Sequence, residues 1–121
     1  MLTILLVEDH DLLLLALSDL LEMQGYAVFK ALDGLEAWEM LQYYMVDLVL
    51  TNYEMPHLNG LDLLKLLRAD QRYATLPVIV FTACDAEAMF MAHGATAFIL
   101  KPFAAPTFLE VVNRVVSDSA V

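Results

Sequence analysis

Cysteine and long apolar runs are almost absent from this chain of 121 residues. The single cysteine, Cys84, excludes an internal disulfide bond, and the first residues, Met-Leu-Thr-Ile, lack the basic flank of a secretion signal. We therefore expect a cytoplasmic, reducing location. Polar residues interrupt every apolar run well before about 18 residues, so no membrane span is predicted although 60% of the residues are hydrophobic.

Positive charge is also scarce. Lys and Arg number 6 against 16 Asp and Glu, which gives a formal net charge of -10 at pH 7. An acidic chain repels phosphate backbones and anionic membranes, so neither nucleic acid nor a membrane is expected as a direct partner. The length suits one compact domain with its own core, and residues 1–121 are predicted to form that single domain.

Short apolar runs alternate with helical patterns along the whole chain. The predicted strands are Thr3–Val7, Ala27–Lys30, Asp47–Thr51, Val78–Phe81 and Ala97–Leu100. The predicted helices are Leu12–Gln24, Leu35–Tyr43, Gly60–Arg68, Asp85–His93 and Ala105–Val116, followed by a frayed end from Ser117 to Val121. This alternation predicts an α/β fold, a doubly wound, five-stranded parallel sheet with five helices on two faces.

The first predicted helix has leucines on more than one face. Its buried seam is predicted to be Leu13, Leu17, Leu20 and Gln24, with Ala16 and Leu21 beside it. The leucines left outside that seam are Leu12, Leu14 and Leu15. Three neighbouring exposed leucines could form a patch that binds a partner.

Polar residues stand where four of the predicted strands end. Glu8 and Asp9 follow the first strand, Asn52 follows the third, Thr82 the fourth and Lys101 the fifth. Because parallel strands present their carboxyl ends at one edge of a sheet, we expect these side chains to converge. Two carboxylates, an amide, a hydroxyl and an ammonium suit a divalent cation that holds a phosphoryl group, but a nucleophile is missing.

Each of these residues also has a simpler structural interpretation. Asp11 is favoured as the cap of the first helix and Asp9 as a metal ligand, with His10 as a loop residue. Lys101 could be a surface lysine, and the peptide bond after it could be cis because Pro102 follows. His57 has no cysteine or second histidine in register, so a transition-metal site is rejected.

The motifs at the strand ends and turns follow a familiar order. They are Leu5-Leu6-Val7-Glu8-Asp9, Asp33-Gly34, Asp47-Leu48-Val49-Leu50, Met55-Pro56 with Gly60, Phe81-Thr82-Ala83, Gly94-Ala95 and Lys101-Pro102-Phe103. In this order they resemble the receiver domain of a two-component response regulator, over nearly the whole chain. The resemblance implies a flavodoxin-like sheet with strand order 2-1-3-4-5. It also implies a phosphorylation-controlled interaction switch rather than an enzyme.

The resemblance also implies residue roles and partners. The Mg²⁺ ligands would be Glu8, Asp9, Asn52 and the backbone carbonyl of Glu54. Thr82 would be the switching hydroxyl, Lys101 the phosphoryl-binding lysine, and Phe98 the aromatic residue that changes orientation on activation. The implied partners are a sensor histidine kinase or histidine phosphotransfer protein and an effector domain or output protein, with the chain as a monomer or weak dimer.

Asn52 departs from the family pattern at the residue that carries the chemistry. The family has its phosphoaccepting aspartate three residues before the Met of Met-Pro, which is Asn52 here. An amide oxygen is neutral, and the nitrogen lone pair is delocalised, so Asn52 is predicted not to accept phosphate. Losing one negative charge also predicts weaker Mg²⁺ binding. Glu54 is not expected to replace the acceptor, because the family commonly has an acid there beside its aspartate.

Two interpretations of Asn52 stay open. Either it blocks a domain whose parent accepts phosphate, or the domain is a natural pseudo-receiver that binds partners independently of phosphorylation. Glu8, Asp9, Thr82 and Lys101 favour the first, because they still suit phosphoryl chemistry. The interval from Thr82 to Lys101 favours the second, because it is shorter than usual by nearly one helical turn.

Two other functional classes fit the predicted architecture less well. A flavin-binding protein would need a Ser-, Thr- or Gly-rich loop after the first strand, whereas the acids of that loop repel an anion. A phosphate-hydrolysing enzyme would need a glycine-rich loop ending in Lys-Ser or Lys-Thr, which is absent from the sequence.

Overall fold

Five parallel strands form the centre of the computed structural model, which describes residues 1–119. The strands are β1 (Thr3–Val7), β2 (Ala27–Ala31), β3 (Leu48–Asn52), β4 (Val78–Thr82) and β5 (Ala97–Leu100). Their order in the sheet is β2-β1-β3-β4-β5, and each neighbouring pair is parallel. The predicted doubly wound, flavodoxin-like fold and its strand order are confirmed.

Five helices connect the strands and cover both faces of the sheet. They are α1 (Asp11–Met23), α2 (Gly34–Leu41), α3 (Gly60–Ala69), α4 (Glu87–Ala92) and α5 (Ala105–Ser119). A short 3₁₀ turn over Gln71–Tyr73, which was not predicted, links α3 to β4. Within residues 1–119, no helix combines the length and the apolar character needed to cross a membrane.

The sheet divides the core into two layers because successive side chains of a strand point to opposite faces. Ile4 and Leu6 of β1 pack in the layer that contains the buried residues of α1 and α5. Leu5 and Val7 pack in the layer that contains those of α2, α3 and α4. Burial on both faces explains why the strands are continuous apolar runs rather than alternating ones.

The buried face of α1 differs from the predicted seam. Leu14, Leu17, Ser18 and Leu21 are buried, at the i, i+3, i+4 and i+7 spacing of one helical face. The prediction was therefore wrong for Leu14, which is 7% exposed, and for Ala16 and Gln24, which are exposed. Pattern reading missed this face because it includes a serine, whose hydroxyl donates to Glu22 Oε1 at 2.9 Å. Leu12 and Leu15 are outside the core, with 74% and 52% exposure.

The N-terminus of α1 is capped by His10 rather than by Asp11. His10 has an extended backbone, and its Nδ1 accepts a hydrogen bond from the Leu13 N–H at 3.3 Å. Asp11 is instead the first residue of the helix, so its predicted role as the cap was wrong. Its carboxylate still lies in the first turn, where negative charge complements the helix dipole.

Several helix ends also differ from their predicted positions. α5 continues through Ser119, because Ser117 and Asp118 contain no helix breaker, so the predicted fraying is wrong up to that residue. The rest of the predicted frayed segment, residues 120–121, lies outside the described residues. α2 ends at Leu41, two residues before its predicted end. α4 is a short helix as predicted, but it begins at Glu87 and ends at Ala92, which is two residues later and one residue earlier than predicted.

Arg68 of α3 fixes the segment between α4 and β5, and we predict that Arg68→Met destabilises the protein. Its Nε donates to the Gly94 carbonyl and its Nη1 to the Tyr73 carbonyl, both at 2.9 Å. Charged hydrogen bonds of this kind contribute about 1.5–3 kcal/mol each when well buried, and Arg68 is only partly buried. We expect a total loss of about 1–3 kcal/mol in denaturant unfolding. Lys65→Met, on the exposed face of the same helix, is the control and should change little.

Candidate functional site

The carboxyl ends of β1, β3 and β5 bring acidic, amide and ammonium groups together. Lys101, which follows β5, places its Nζ 3.1 Å from Glu8 Oε1 and 3.5 Å from Asn52 Oδ1. Asn52 is the last residue of β3, the central strand, and Glu8 follows β1 directly. Glu8 and Asn52 are 1% and 7% exposed. A buried cluster of this kind is held by mutual pairing, because unpaired charges are costly to bury.

The Asn52 amide is oriented with its nitrogen toward the acidic side of the cluster. Nδ2 lies 3.1 Å from the Glu54 carbonyl oxygen and 3.4 Å from both Glu8 Oε2 and Asp9 Oδ1. The structure thus brings Asn52 into contact with all three of the other predicted metal ligands. Glu54 lies beyond the end of β3 with its side chain exposed, so its backbone carbonyl rather than its carboxylate faces Asn52.

Glu8 is the most deeply buried acid of the cluster. Burial raises the pKa of its carboxyl group above the ordinary value, and the hydrogen bonds from the His10 N–H and from Lys101 oppose that rise. The His10 N–H donates to Glu8 Oε2 at 3.0 Å. Lys101 Nζ also lies 5.2 Å from the centroid of the Phe81 ring, where a cation is attracted to the aromatic face.

Thr82 and Phe98 lie on the strands next to this cluster. Thr82 ends β4 and is buried, and its Oγ1 accepts a hydrogen bond from the Cys84 N–H at 3.1 Å. Its backbone carbonyl accepts a hydrogen bond from the Lys101 N–H at 2.8 Å, which connects the end of β4 to the start of the loop after β5. Phe98 of β5 is half-buried, and its ring centroid is 6.0 Å from that of Phe90 on α4. The peptide bond between Lys101 and Pro102 is cis.

The loop after β3 approaches the backbone too closely for a side chain at Gly60. The Gly60 N–H donates to the Tyr53 carbonyl at 2.8 Å, and a Cβ atom there would collide with the carbonyl oxygen of Asn52. The same loop is tied to α2, because the Gly34 N–H donates to the Leu58 carbonyl at 2.9 Å. The sequence indicates only that Gly34 belongs to a turn, because nothing in the neighbouring residues indicates its contact with Leu58.

Asp33 links this loop to α2, and we predict that its contribution to stability is lost in acid. Its Oδ1 caps α2 by accepting from the Glu36 N–H at 2.8 Å, and its Oδ2 is 2.9 Å from His57 Nδ1. The Glu36 hydrogen bond, and then His57, lower the pKa of the Asp33 carboxyl. The interactions that lower the pKa of Asp33 stabilise the folded protein fully when the pH is above the ordinary carboxyl pKa of about 4. This stabilisation is lost as the pH falls through the lower pKa of the folded state.

The variant that measures this contribution is Asp33→Ala. At pH 7 we expect it to lower the free energy of unfolding by about 0.5–2 kcal/mol, the usual cost of losing a helix cap. The difference from wild type should shrink in urea titrations below about pH 4. Asp33→Asn retains a capping oxygen and is the control. A difference for Asp33→Ala that grew in acid would contradict this assignment.

A divalent cation fits only part of this site. Carboxylate and carbonyl oxygens are the ligands that Mg²⁺ prefers, and Glu8, Asp9 and the Glu54 carbonyl supply three of them. The atom of Asn52 that faces these oxygens is the amide nitrogen, which carries hydrogens and cannot ligate a cation. Across residues 1–119, no three His, Cys, Asp or Glu side chains are grouped so as to hold a metal.

The structure is a flavodoxin-like α/β fold with a cluster of polar side chains at the carboxyl edge of the sheet. Residues 4–113 match the family model of the response regulator receiver domain. The polar-differentiation response regulator DivK of Brucella ovis is 31% identical over 120 residues, which cover 97% of this chain and 98% of DivK. The chain therefore belongs to the response regulator receiver domain family.

Solved structures agree with this assignment. The chemotaxis response regulator CheY4 of Vibrio cholerae is 30% identical, with a TM-score of 0.89 over 95% of this chain and 98% of CheY4. The response regulator TrrA of Thermotoga maritima, in complex with Mg²⁺-BeF, is 26% identical, with a TM-score of 0.86 over 95% of this chain and 99% of TrrA. Receiver domains are signalling switches of two-component systems, and they generally bind Mg²⁺.

Proposed function

We propose that Asn52 stands at the phosphoacceptor position and that this chain is a receiver domain of a two-component phosphorelay that does not take up phosphate. The observation that carries the proposal is the place of Asn52 at the end of the central strand, between the acids Glu8 and Asp9 and the ammonium of Lys101. At that position Asn52 presents an amide group to a phosphoryl donor, whereas an acceptor aspartate would present a carboxylate. Residues 1–121 would form one such domain.

The amide removes the reactive oxygen while the surrounding groups are retained. A carboxylate at this position would attack phosphorus through a negatively charged oxygen, whereas the side-chain oxygen of Asn52, Oδ1, is a neutral and weakly nucleophilic amide oxygen that lies 3.5 Å from Lys101 Nζ. In this proposal Lys101 is the phosphoryl-binding lysine, Thr82 the switching hydroxyl and Phe98 the aromatic residue of the switch. Without a phosphoryl group, neither Thr82 nor Phe98 has a ligand-driven reason to move.

We also propose that Mg²⁺ binds weakly. Glu8, Asp9 and the Glu54 carbonyl would hold the cation, which would supply positive charge to a bound phosphoryl group. Asn52 Oδ1 could join them only if the amide turned over, which would leave Nδ2 against the Lys101 ammonium. Because two hydrogen-bond donors would then face each other, the use of Asn52 Oδ1 as a fourth Mg²⁺ ligand is unfavourable.

The proposed partner is a sensor histidine kinase or histidine phosphotransfer protein, with an effector domain or output protein downstream. A cavity of about 430 Å³ lies beside the site, and its lining residues are Leu13, Ala83, Lys101, Pro102 and Phe103. Leu12 and Leu15 are exposed on α1, the helix that contributes Leu13 to the cavity lining, and they add apolar surface for a partner. We propose a cytoplasmic monomer or weak dimer that carries out no catalysis of its own.

A specific observation supports the alternative, a natural pseudo-receiver that binds partners independently of phosphorylation. Among residues 1–119, no buried side-chain nitrogen or oxygen lacks a hydrogen-bond partner. The cluster around Asn52 is therefore satisfied without a cation or a phosphoryl group, as a constitutive binding module requires.

Intact mass after incubation with acetyl phosphate and Mg²⁺ tests the proposed function. The wild-type chain is expected to keep its mass, because Asn52, the residue at the acceptor position, offers a neutral amide instead of a carboxylate. Peptide mapping should locate any adduct that does form. A stable phosphoryl group on wild-type protein, on Glu54 or on any other residue of the site, would contradict the proposal.

A further inference from the structure

The oxygens that would bind a cation in this site converge on a side-chain nitrogen of the same chain. Asn52 Nδ2 lies within 3.4 Å of one oxygen each from Glu8, Asp9 and Glu54. We propose that the Asn52 amide replaces the divalent cation, so that hydrogen bonds hold the site together and its structure does not depend on a metal. The inference rests on the proposed function only in placing Asn52 at the acceptor position.

The chemistry of the amide matches the three oxygens. Nδ2 carries two hydrogens with partial positive charge, while the carboxylates and the carbonyl are acceptors. Three acceptors share two hydrogens, which agrees with two of the distances being as long as 3.4 Å. The remaining positive charge comes from Lys101, whose Nζ lies 3.1 Å from the second oxygen of Glu8.

The surrounding charges fix the orientation of the amide. Turning it over would bring Oδ1 against the carboxylates of Glu8 and Asp9 and Nδ2 against the Lys101 ammonium. Both contacts would be repulsive, and Asn52 is 7% exposed, so little water is present to weaken them. A cation entering the site must therefore displace the amide N–H group and break its hydrogen bonds.

The same hydrogen bonds position the loop that follows β3. The Glu54 carbonyl is held by Asn52 Nδ2, and the intervening Tyr53 packs edge-on against Phe90 of α4, with ring centroids 4.9 Å apart. The amide thus connects the end of β3 to a surface helix without a bound ion. We infer that the loop keeps one arrangement whether or not Mg²⁺ is present.

The test compares the thermal unfolding of wild type and Asn52→Asp, each with and without Mg²⁺. The aspartate removes the two N–H donors and places a third carboxylate beside Glu8 and Asp9, so without metal its unfolding midpoint should be lower than that of wild type. Mg²⁺ at about a hundred times its Kd for Asn52→Asp should lower the unfolding equilibrium constant of that variant about a hundredfold. The same concentration should change the constant of wild type less than about twofold.

Asn59→Asp is the matched control. It adds the same charge in the same loop, and aspartate caps a helix about as well as asparagine, so the cap of α3 is retained. This variant should respond to Mg²⁺ as wild type does. If Asn52→Asp does not fold without metal, circular dichroism during addition of Mg²⁺ measures the same linkage as refolding.

Two outcomes would overturn the inference. One is equal stabilisation of wild type and Asn52→Asp by Mg²⁺; the other is an Asn52→Asp variant as stable as wild type and indifferent to Mg²⁺. Phosphate uptake by a wild-type chain that does not respond to Mg²⁺ would refute the proposed function alone. Stabilisation of an unphosphorylated wild-type chain by Mg²⁺ as strong as that of Asn52→Asp would refute this inference and leave Asn52 at the acceptor position.

Discussion

Asn52→Asp is expected to take up one phosphoryl group from acetyl phosphate in the presence of Mg²⁺, whereas wild type takes up none. The substitution replaces the amide NH₂ group with an oxygen and supplies a negatively charged nucleophile at position 52, where wild type has none. That oxygen would bond to phosphorus as the bond from phosphorus to acetate breaks, and acetate would leave. Lys101 already lies 3.5 Å from the neighbouring Oδ1 and could pair with the incoming charge.

The measurement is intact mass, followed by peptide mapping to place the phosphoryl group on residue 52. Asn59→Asp introduces a carboxylate in the same loop, at the cap of α3, and should remain unmodified. Asn52→Gln should also remain unmodified, because it keeps an amide. An Asn52→Asp variant that stays unmodified while remaining folded would show that the other site residues are not arranged for phosphoryl transfer.

Lys101→Met is expected to cause the largest loss of stability among the site variants. It removes the ammonium from Glu8, which is 1% exposed and would be left as a buried carboxylate without its cation. Breaking a buried ion pair typically costs roughly 3–5 kcal/mol. We expect the lower end of that range, because the Lys101 side chain is 23% exposed and its surroundings are partly hydrated.

A second substitution separates this electrostatic effect from lost packing. In Lys101→Met with Glu8→Gln, no charge remains to be buried, so more than half of the lost free energy of unfolding should return. Urea unfolding of the single and double variants measures the coupling between the two positions. Lys65→Met, which replaces an exposed lysine, is the control. No recovery in the double variant would mean that the stem of Lys101, rather than its charge, supports the fold.

The site could be located from the sequence because its residues lie at the ends of apolar strands. Strand period and strand ends are local features, and parallel strands present their ends at one edge, so Glu8, Asn52 and Lys101 were predicted to converge. The cis peptide bond between Lys101 and Pro102 could also be anticipated from the sequence, because cis bonds occur almost exclusively before proline.

The features that the sequence does not predict depend on side-chain contacts that residue type and hydrophobic spacing do not reveal. The buried face of α1 includes Ser18, which is polar, and only its bond to Glu22 makes burial favourable. His10 caps α1 because its backbone is extended there, which its residue type does not indicate. The orientation of the Asn52 amide is set jointly by β1, β5 and the loop after β3, so it required the folded structure.

The most direct test of the central claim is the nuclear magnetic resonance signal of the Asn52 side-chain NH₂ group in ¹⁵N-labelled wild-type protein. Its cross-peak is identified by its absence from Asn52→Asp. If the amide donates to Glu8, Asp9 and Glu54 in place of a cation, the cross-peak will keep its position and exchange slowly with solvent through millimolar Mg²⁺. A cross-peak that shifts or disappears at micromolar Mg²⁺ would contradict the account.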